Sequence, residues 1–284
     1  MMQGQINTLY MYLIQKISLH TGITGTATAN KWTRTYGNPA NDPSEVIPGP
    51  GMTFAYYAYN RLGYKISNSD GTDATGRPTA NINASATSSP IIDNAAVYFA
   101  NTGGAVYKYL VDGTAAGTIT TGTSAISTPL GAWNGVLYTA PADNFVYAVD
   151  MSTMTLTWTS ATLGAATTTG VFSSGDNILY VGSGSDLEKI TDNGATATVA
   201  GAPWPYTTGG TINSMPITND DGTKIFFGCD DNSAYGINNS AVNLSGFPKT
   251  DAADALQGTP VVDVDNGIVV YTSLEGKVYG YTMQ

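Results

Sequence analysis

Apolar runs of three to six residues, each bounded by Gly, Asn, Asp or Ser, recur from residue 47 to 284 and predict short β-strands joined by tight turns. Nothing in that stretch has the apolar spacing of a helix. One recurring run is a small residue, Pro and two apolar residues, then a polar turn and a β-branched or aromatic strand. It reads Ser89-Pro90-Ile91-Ile92-Asp93 leading to Val97-Tyr98, and Thr128-Pro129-Leu130 leading to Val136-Leu137-Tyr138. Met215-Pro216-Ile217 leads to Ile225-Phe226-Phe227, and Thr259-Pro260-Val261-Val262 to Val269-Val270-Tyr271. A copy without Pro runs from Val171 to Ile178-Leu179-Tyr180, and a looser one from Pro50 through Phe54 to Tyr59. Aligned on the aromatics at 57, 98, 138, 180, 227 and 271, the copies lie 41, 40, 42, 47 and 44 residues apart, so each is one supersecondary unit.

A second aromatic strand follows in most copies: Ala105-Val106-Tyr107-Lys108-Tyr109, Phe145-Val146-Tyr147-Ala148-Val149, Ala234-Tyr235 and Lys277-Val278-Tyr279. Four strands in about forty residues is the size of a propeller blade. The expected fold is therefore all-β, a β-propeller of six four-stranded blades, alternatively seven. The last copy stops at Tyr281-Thr282-Met283-Gln284, just after its third strand. Ala29-Asn30-Lys31-Trp32-Thr33 matches Leu156-Thr157-Trp158-Thr159-Ser160, so residues 27 to 36 are expected to supply the missing strand and remove two open edges. This gives a single propeller domain over 23-284 and an N-terminal extension over 1-22. Within the extension, Ile6, Leu9, Tyr10, Leu13, Ile14 and Ile17 have the spacing of one apolar helical stripe, which Thr21-Gly22 would end; a strand over Thr8 to Ile14 is the competing reading.

Ala148-Val149-Asp150-Met151-Ser152-Thr153-Met154-Thr155-Leu156-Thr157-Trp158 resembles the tryptophan-docking motif of the quinoprotein (PQQ-type) propellers, Ala-x-Asp-x-x-Thr-Gly-x-x-x-Trp, with Met154 in place of the Gly. The resemblance implies structural, blade-docking roles for Asp150 and Trp158, and Trp32 holds the matching place near the N-terminus. The full motif occurs once. The vicinal cysteine pair of the quinoprotein dehydrogenases is missing, so the resemblance is to a non-catalytic member and no cofactor is expected.

Composition narrows the chemistry. The formal net charge is -10 with a pI near 4.2, and charged residues make up 11% of the chain, which disfavours nucleic acid as a partner. No apolar stretch is long enough to span a membrane. The low-charge, hydroxyl-rich composition fits an extracellular, cell-surface or virion protein. His20 is the only histidine and Cys229 the only cysteine, so a catalytic triad, a zinc site or an internal disulfide has almost nothing to be built from. Cys229 reads as a buried small hydrophobe. Thr218-Asn219-Asp220-Asp221-Gly222-Thr223 and Asp263-Val264-Asp265-Asn266-Gly267 offer oxygen ligands for a hard cation, but both fall where a hairpin turn is needed. Asn83-Ala84-Ser85, Asn238-Asn239-Ser240 and Asn243-Leu244-Ser245 are N-glycosylation sequons. The expected function is a non-enzymatic propeller serving as an exposed structural or binding module of an extracellular or virion assembly such as a filament, self-associating through the N-terminal stripe; the alternatives are a glycan- or protein-binding ring mouth and, less favoured, a PQQ-dependent dehydrogenase or glycoside-active enzyme.

Overall fold

A computed structural model describes residues 47–49, 54–59, 61–67, 69, 80–84, 88–93 and 95–283. The chain divides into two compact units, Met1–Thr120 with Ala125–Ser127, and Thr121–Ser124 with Thr128–Gln284. The described residues hold 23 strands in six separate antiparallel sheets and no helix. None is therefore long and apolar enough to cross a membrane. The N-terminal segment 1–22 and residues 27 to 36 lie outside the described residues.

The first unit contains two meanders. β1 (Ile47–Pro48), β2 (Phe54–Tyr59), β3 (Leu62–Ser67) and β4 (Ala80–Asn81) pair in chain order. So do β5 (Ile91–Ile92), β6 (Ala96–Ala100), β7 (Ala105–Leu110) and β8 (Ala115–Thr120). Neither sheet can bury its own face, and the two are joined by one apolar cluster that includes Tyr56, Ala58, Val97, Phe99 and Tyr107. Gly63 is required there because a Cβ would sit 2.7 Å from the Phe99 ring. Lys65 is buried with its charge compensated: Nζ donates to the Val111 carbonyl at 2.9 Å and lies 4.2 Å from the centre of the Phe54 ring.

The second unit contains four sheets. β9 (Gly131–Trp133), β10 (Val136–Thr139), β11 (Tyr147–Asp150) and β12 (Thr155–Thr159) form the first of them. β13 (Phe172–Ser173), β14 (Ile178–Ser183), β15 (Asp186–Asp192) and β16 (Ala197–Val199) follow, with β17 (Tyr206–Thr207) also pairing with β15. Two sheets have three strands among the described residues: β18 (Ile217–Thr218), β19 (Lys224–Gly228) and β20 (Ala234–Asn238), then β21 (Val261–Asp263), β22 (Ile268–Thr272) and β23 (Val278–Thr282). Beyond β20 the chain doubles back through the bridges Ile237↔Asn243 and Ala234↔Lys249. Along β23, Val278 is 69% exposed.

In this unit β10, β14 and β19 are buried on both faces and β22 mainly on one, and the clusters that they join correct the repeat alignment. Tyr138, Tyr180 and Phe226 cluster with the sheet that follows, whereas Phe227 and Tyr271 cluster with the sheet that precedes. The matched positions are therefore 138, 180, 226 and, by strand alternation, 270. A frame placed on 227 and 271 is one residue out, and in a strand one residue changes the face. With Phe226 and Phe227 both fully buried, aromatic character alone carries no sign of the slip.

Neighbouring first strands and loops approach so closely that glycine is needed at their crossings. A Cβ on Gly131 would fall on the Val171 carbonyl oxygen, and one on Gly228 on that of Leu256. Gly280 has only Ile268 Cγ2 near such a Cβ, at 3.9 Å. Gly228→Ala is expected to lower stability by about 1–3 kcal/mol through overpacking, and Gly280→Ala to leave it nearly unchanged, as read from urea midpoints.

Candidate functional site: the inter-sheet dock and the loop rim

Asp150 ends β11 and organises the turn into β12. Its Oδ1 accepts the backbone N–H groups of Ser152 and Thr153, each at 2.8 Å, together with both of their hydroxyls. Those hydrogen bonds, led by the Ser152 side chain, hold its pKa down at about 2. Met154 takes φ +55°, a left-handed conformation that suits the Gly of the resembled motif and costs a side-chain-bearing residue about 1–2 kcal/mol. A bulge where β12 passes Ala148 and Val149 then changes the parity of the strand. Leu156 points outward at 48% exposure, while Trp158, two residues on, is 5% exposed.

Trp158 lies in an apolar cluster shared with the next sheet, among Tyr138, Leu179, Val181 and Ile190. Its indole Nε1 donates to Asp192 Oδ1 at 2.9 Å, and the Tyr138 hydroxyl donates to Asp192 Oδ2 at 2.7 Å. Asp192, at the end of β15, is itself buried and also accepts the Gly194 N–H. Burial, then the hydrogen bond and charge of Asp192, push the Tyr138 hydroxyl well above its ordinary pKa, so it stays a donor. One buried carboxylate thus ties two strands of one sheet to the next.

Parts of this device recur where the sequence carries no full motif. The Tyr138–Trp158 ring pair, at 5.9 Å and 40°, is repeated one sheet later by Tyr180–Trp204 at 5.6 Å and 40°, and again by Phe226–Phe247 at 6.0 Å. Lys189 Nζ covers Trp204 at 5.6 Å, and Lys249 Nζ covers Phe247 at 5.7 Å. Asp112, Asp150, Asp192 and Asn238 each accept the N–H of the residue two ahead. Sequence reasoning missed Asp192, Trp204 and Phe247 because the distance from the turn residue to the aromatic varies. The available signal was an Asp or Asn followed two residues on by Ser, Thr or Gly, with an aromatic later in the same copy.

A second repeated element braces the loop between the second and third strands. Tyr147 donates to Asp143 at 3.0 Å, Tyr235 to Asp231 at 2.6 Å, and Tyr279 to Glu275. Each acid lies four residues before its tyrosine. Asp231 and Glu275 also accept N–H groups from the preceding connection, Gly209 and Ala253 respectively. Lys277 and Tyr279 hold the Glu275 pKa down at about 2, while burial and Asp143 push Tyr147 up to about 12. On the same loop, Asp230 accepts from Asn213 at 2.7 Å and Gln257 at 2.8 Å. Cys229 is fully buried, and burial raises its pKa. In the other turns, Asp221 accepts from Thr223 and Asp263 from Asn266.

Glu188 behaves differently. It sits on the face of β15 that also carries Asp186 and Asp192, is 3% exposed, and has its pKa raised by burial against the opposing effect of the Gly164 N–H. The residues of the N-terminal stripe (Ile6, Leu9, Tyr10, Leu13, Ile14, Ile17) and Trp32 lie outside the described residues.

Trp158→Ala is expected to cost about 3–5 kcal/mol. Asp192→Ala should cost about 1–3 kcal/mol for each of the two donors it orphans, and Tyr138→Phe about 1 kcal/mol. Equal denaturation midpoints for all three and wild type would rule out the dock. For pH, the lowered pKa values of Asp150 and Glu275 give stability that is present above the ordinary carboxylate range near 4 and is lost as pH falls toward about 2. Asp150→Asn and Glu275→Gln should flatten that decline. The raised pKa of Glu188 has the opposite sign: its contribution is present below the ordinary value and lost as pH rises through the folded one, so Glu188→Gln should raise the midpoint at pH 7.

No protein-family model and no curated protein matches the chain. Solved structures do. The chain is similar to the computationally designed Ika8 protein at a TM-score of 0.67 and 13% identity, over 81% of this chain and 68% of that one. It is similar to BamB from Moraxella catarrhalis, a PQQ-like β-propeller, at a TM-score of 0.65 and 15% identity, over 89% of this chain and 76% of that one. At such identities the likeness concerns the fold: an all-β, propeller-like arrangement of antiparallel meanders.

Proposed function

We propose that the protein is a non-enzymatic β-propeller acting as an exposed structural or binding module of an extracellular or virion assembly such as a filament. The observation that carries this is the condition of the loop acids. Asp150, Asp231 and Glu275 accept several hydrogen bonds each and have lowered pKa values, so they serve as fixed acceptors within the fold rather than as proton donors at neutral pH. In this reading the ring has six blades of PQQ type. Residues 27 to 36, with Trp32, add the fourth strand beside β23, where Val278 is left exposed.

Assembly is assigned to the N-terminal stripe. Burial of Leu9, Tyr10, Leu13 and Ile14 against another subunit would contribute about 1.5–3 kcal/mol per side chain before association costs. A second reading, a module that takes a glycan or protein ligand at the loop end, is supported by the cluster of exposed Asn213 with half-buried Asp230 and Gln257, amide and carboxylate groups together. Deleting residues 1–20, or combining Leu13→Asp with Ile14→Asp, should leave a folded propeller with an unchanged melting temperature that no longer assembles in size-exclusion chromatography and electron microscopy. Normal assembly by the truncated protein would defeat the structural reading and direct attention to the loop end.

A further inference from the structure

The three sequons are not equivalent once folded. Asn83 has φ +59° and its amide Nδ2 donates to the Tyr107 hydroxyl at 3.3 Å. Asn238 ends β20, half-buried, with Oδ1 accepting the N–H groups of Ser240 and Val242. Asn243 is exposed on the segment that doubles back along β20. Its Oδ1 accepts the Tyr206 hydroxyl at 2.6 Å, which fixes the plane of the amide and leaves Nδ2 without a hydrogen-bond partner among the described residues. The flanks are anchored: Leu244 N–H donates to the Gly236 carbonyl, the Leu244 side chain packs into the last apolar cluster, and Phe247 N–H returns to the Leu244 carbonyl. Ser245 is exposed, and its hydroxyl has no partner among the described residues.

From this geometry we infer that Asn243 is an N-glycosylation site. A glycosyltransferase needs an accessible asparagine with its amide nitrogen presented; Asn83 Nδ2 is engaged by Tyr107 and Asn238 is half-buried, whereas Asn243 is exposed with Nδ2 unengaged among the described residues. The donor is a saccharide activated on a lipid-linked phosphate. The amide Nδ2 attacks the anomeric carbon, a C–N bond forms, the C–O bond to phosphate breaks with its electron pair leaving on the phosphate, and the amide proton passes to a base of the transferase.

The inference rests on the extracellular reading, and the two can fail separately. The protein is purified from its native source after fractionation, digested with trypsin, and the 225–249 peptide, which holds both Asn238 and Asn243, is sequenced by electron-transfer mass spectrometry. The expected result is a saccharide mass on Asn243 that disappears in Asn243→Gln and in Ser245→Ala and persists in Asn238→Gln. An extracellular protein with an unmodified Asn243, or with the saccharide on Asn238, overturns the site and leaves the localisation standing. An unmodified protein confined to the cytosol overturns both.

Discussion

A meander of three or four short strands has two apolar faces and no means of covering either by itself. Within each unit the described sheets depend on one sheet burying its second strand against the next. Where that contact is fully developed, aromatic area and a shared acceptor act together. Trp158 and Tyr138 supply buried apolar surface, and Asp192 from the following sheet satisfies the two polar atoms that come with it. Burying an indole and a phenol without that acceptor would leave unsatisfied donors in an apolar cluster, which is why the carboxylate is as much a part of the packing as the rings.

Strand order and unit size were legible in the sequence because short apolar runs and turn residues are local signals. The face of each strand was not. Phe226 and Phe227 are both buried, so the hydrophobic pattern has no alternation to fix which of them meets the following sheet. The dock was half legible. Asp150 and Trp158 stand in one motif, but the indole donates to Asp192, thirty-four residues from the tryptophan, and no local pattern connects those two. The Asp-x-x-x-Tyr braces lay in plain view at constant spacing, yet an acid four residues before a tyrosine means little until the hairpin between them is known.

The acidic balance of the chain takes on a different meaning with these geometries. Many of its carboxylates cap turns or hold tyrosine hydroxyls, and few face lysines: Lys277 with Glu275, at 2.8 Å, is one direct ion pair among the described residues. Hydrogen bonds to fixed N–H and O–H donors respond less to dissolved salt than pairs of exposed charges do. The folded state is therefore expected to depend only weakly on ionic strength.

The Tyr271 hydroxyl, buried and bonded to the Tyr235 carbonyl at 2.7 Å, shows the same economy at the last interface of the second unit: a side chain of one sheet holds the backbone of its predecessor. Among the described residues, the apolar clusters of that unit join sheets that are neighbours in sequence. Within the second unit the sheets therefore form a row of coupled interfaces, in which loss of one weakens the adjacent ones first. Under mechanical tension that unit would give way sheet by sheet, releasing about forty residues of slack at each step.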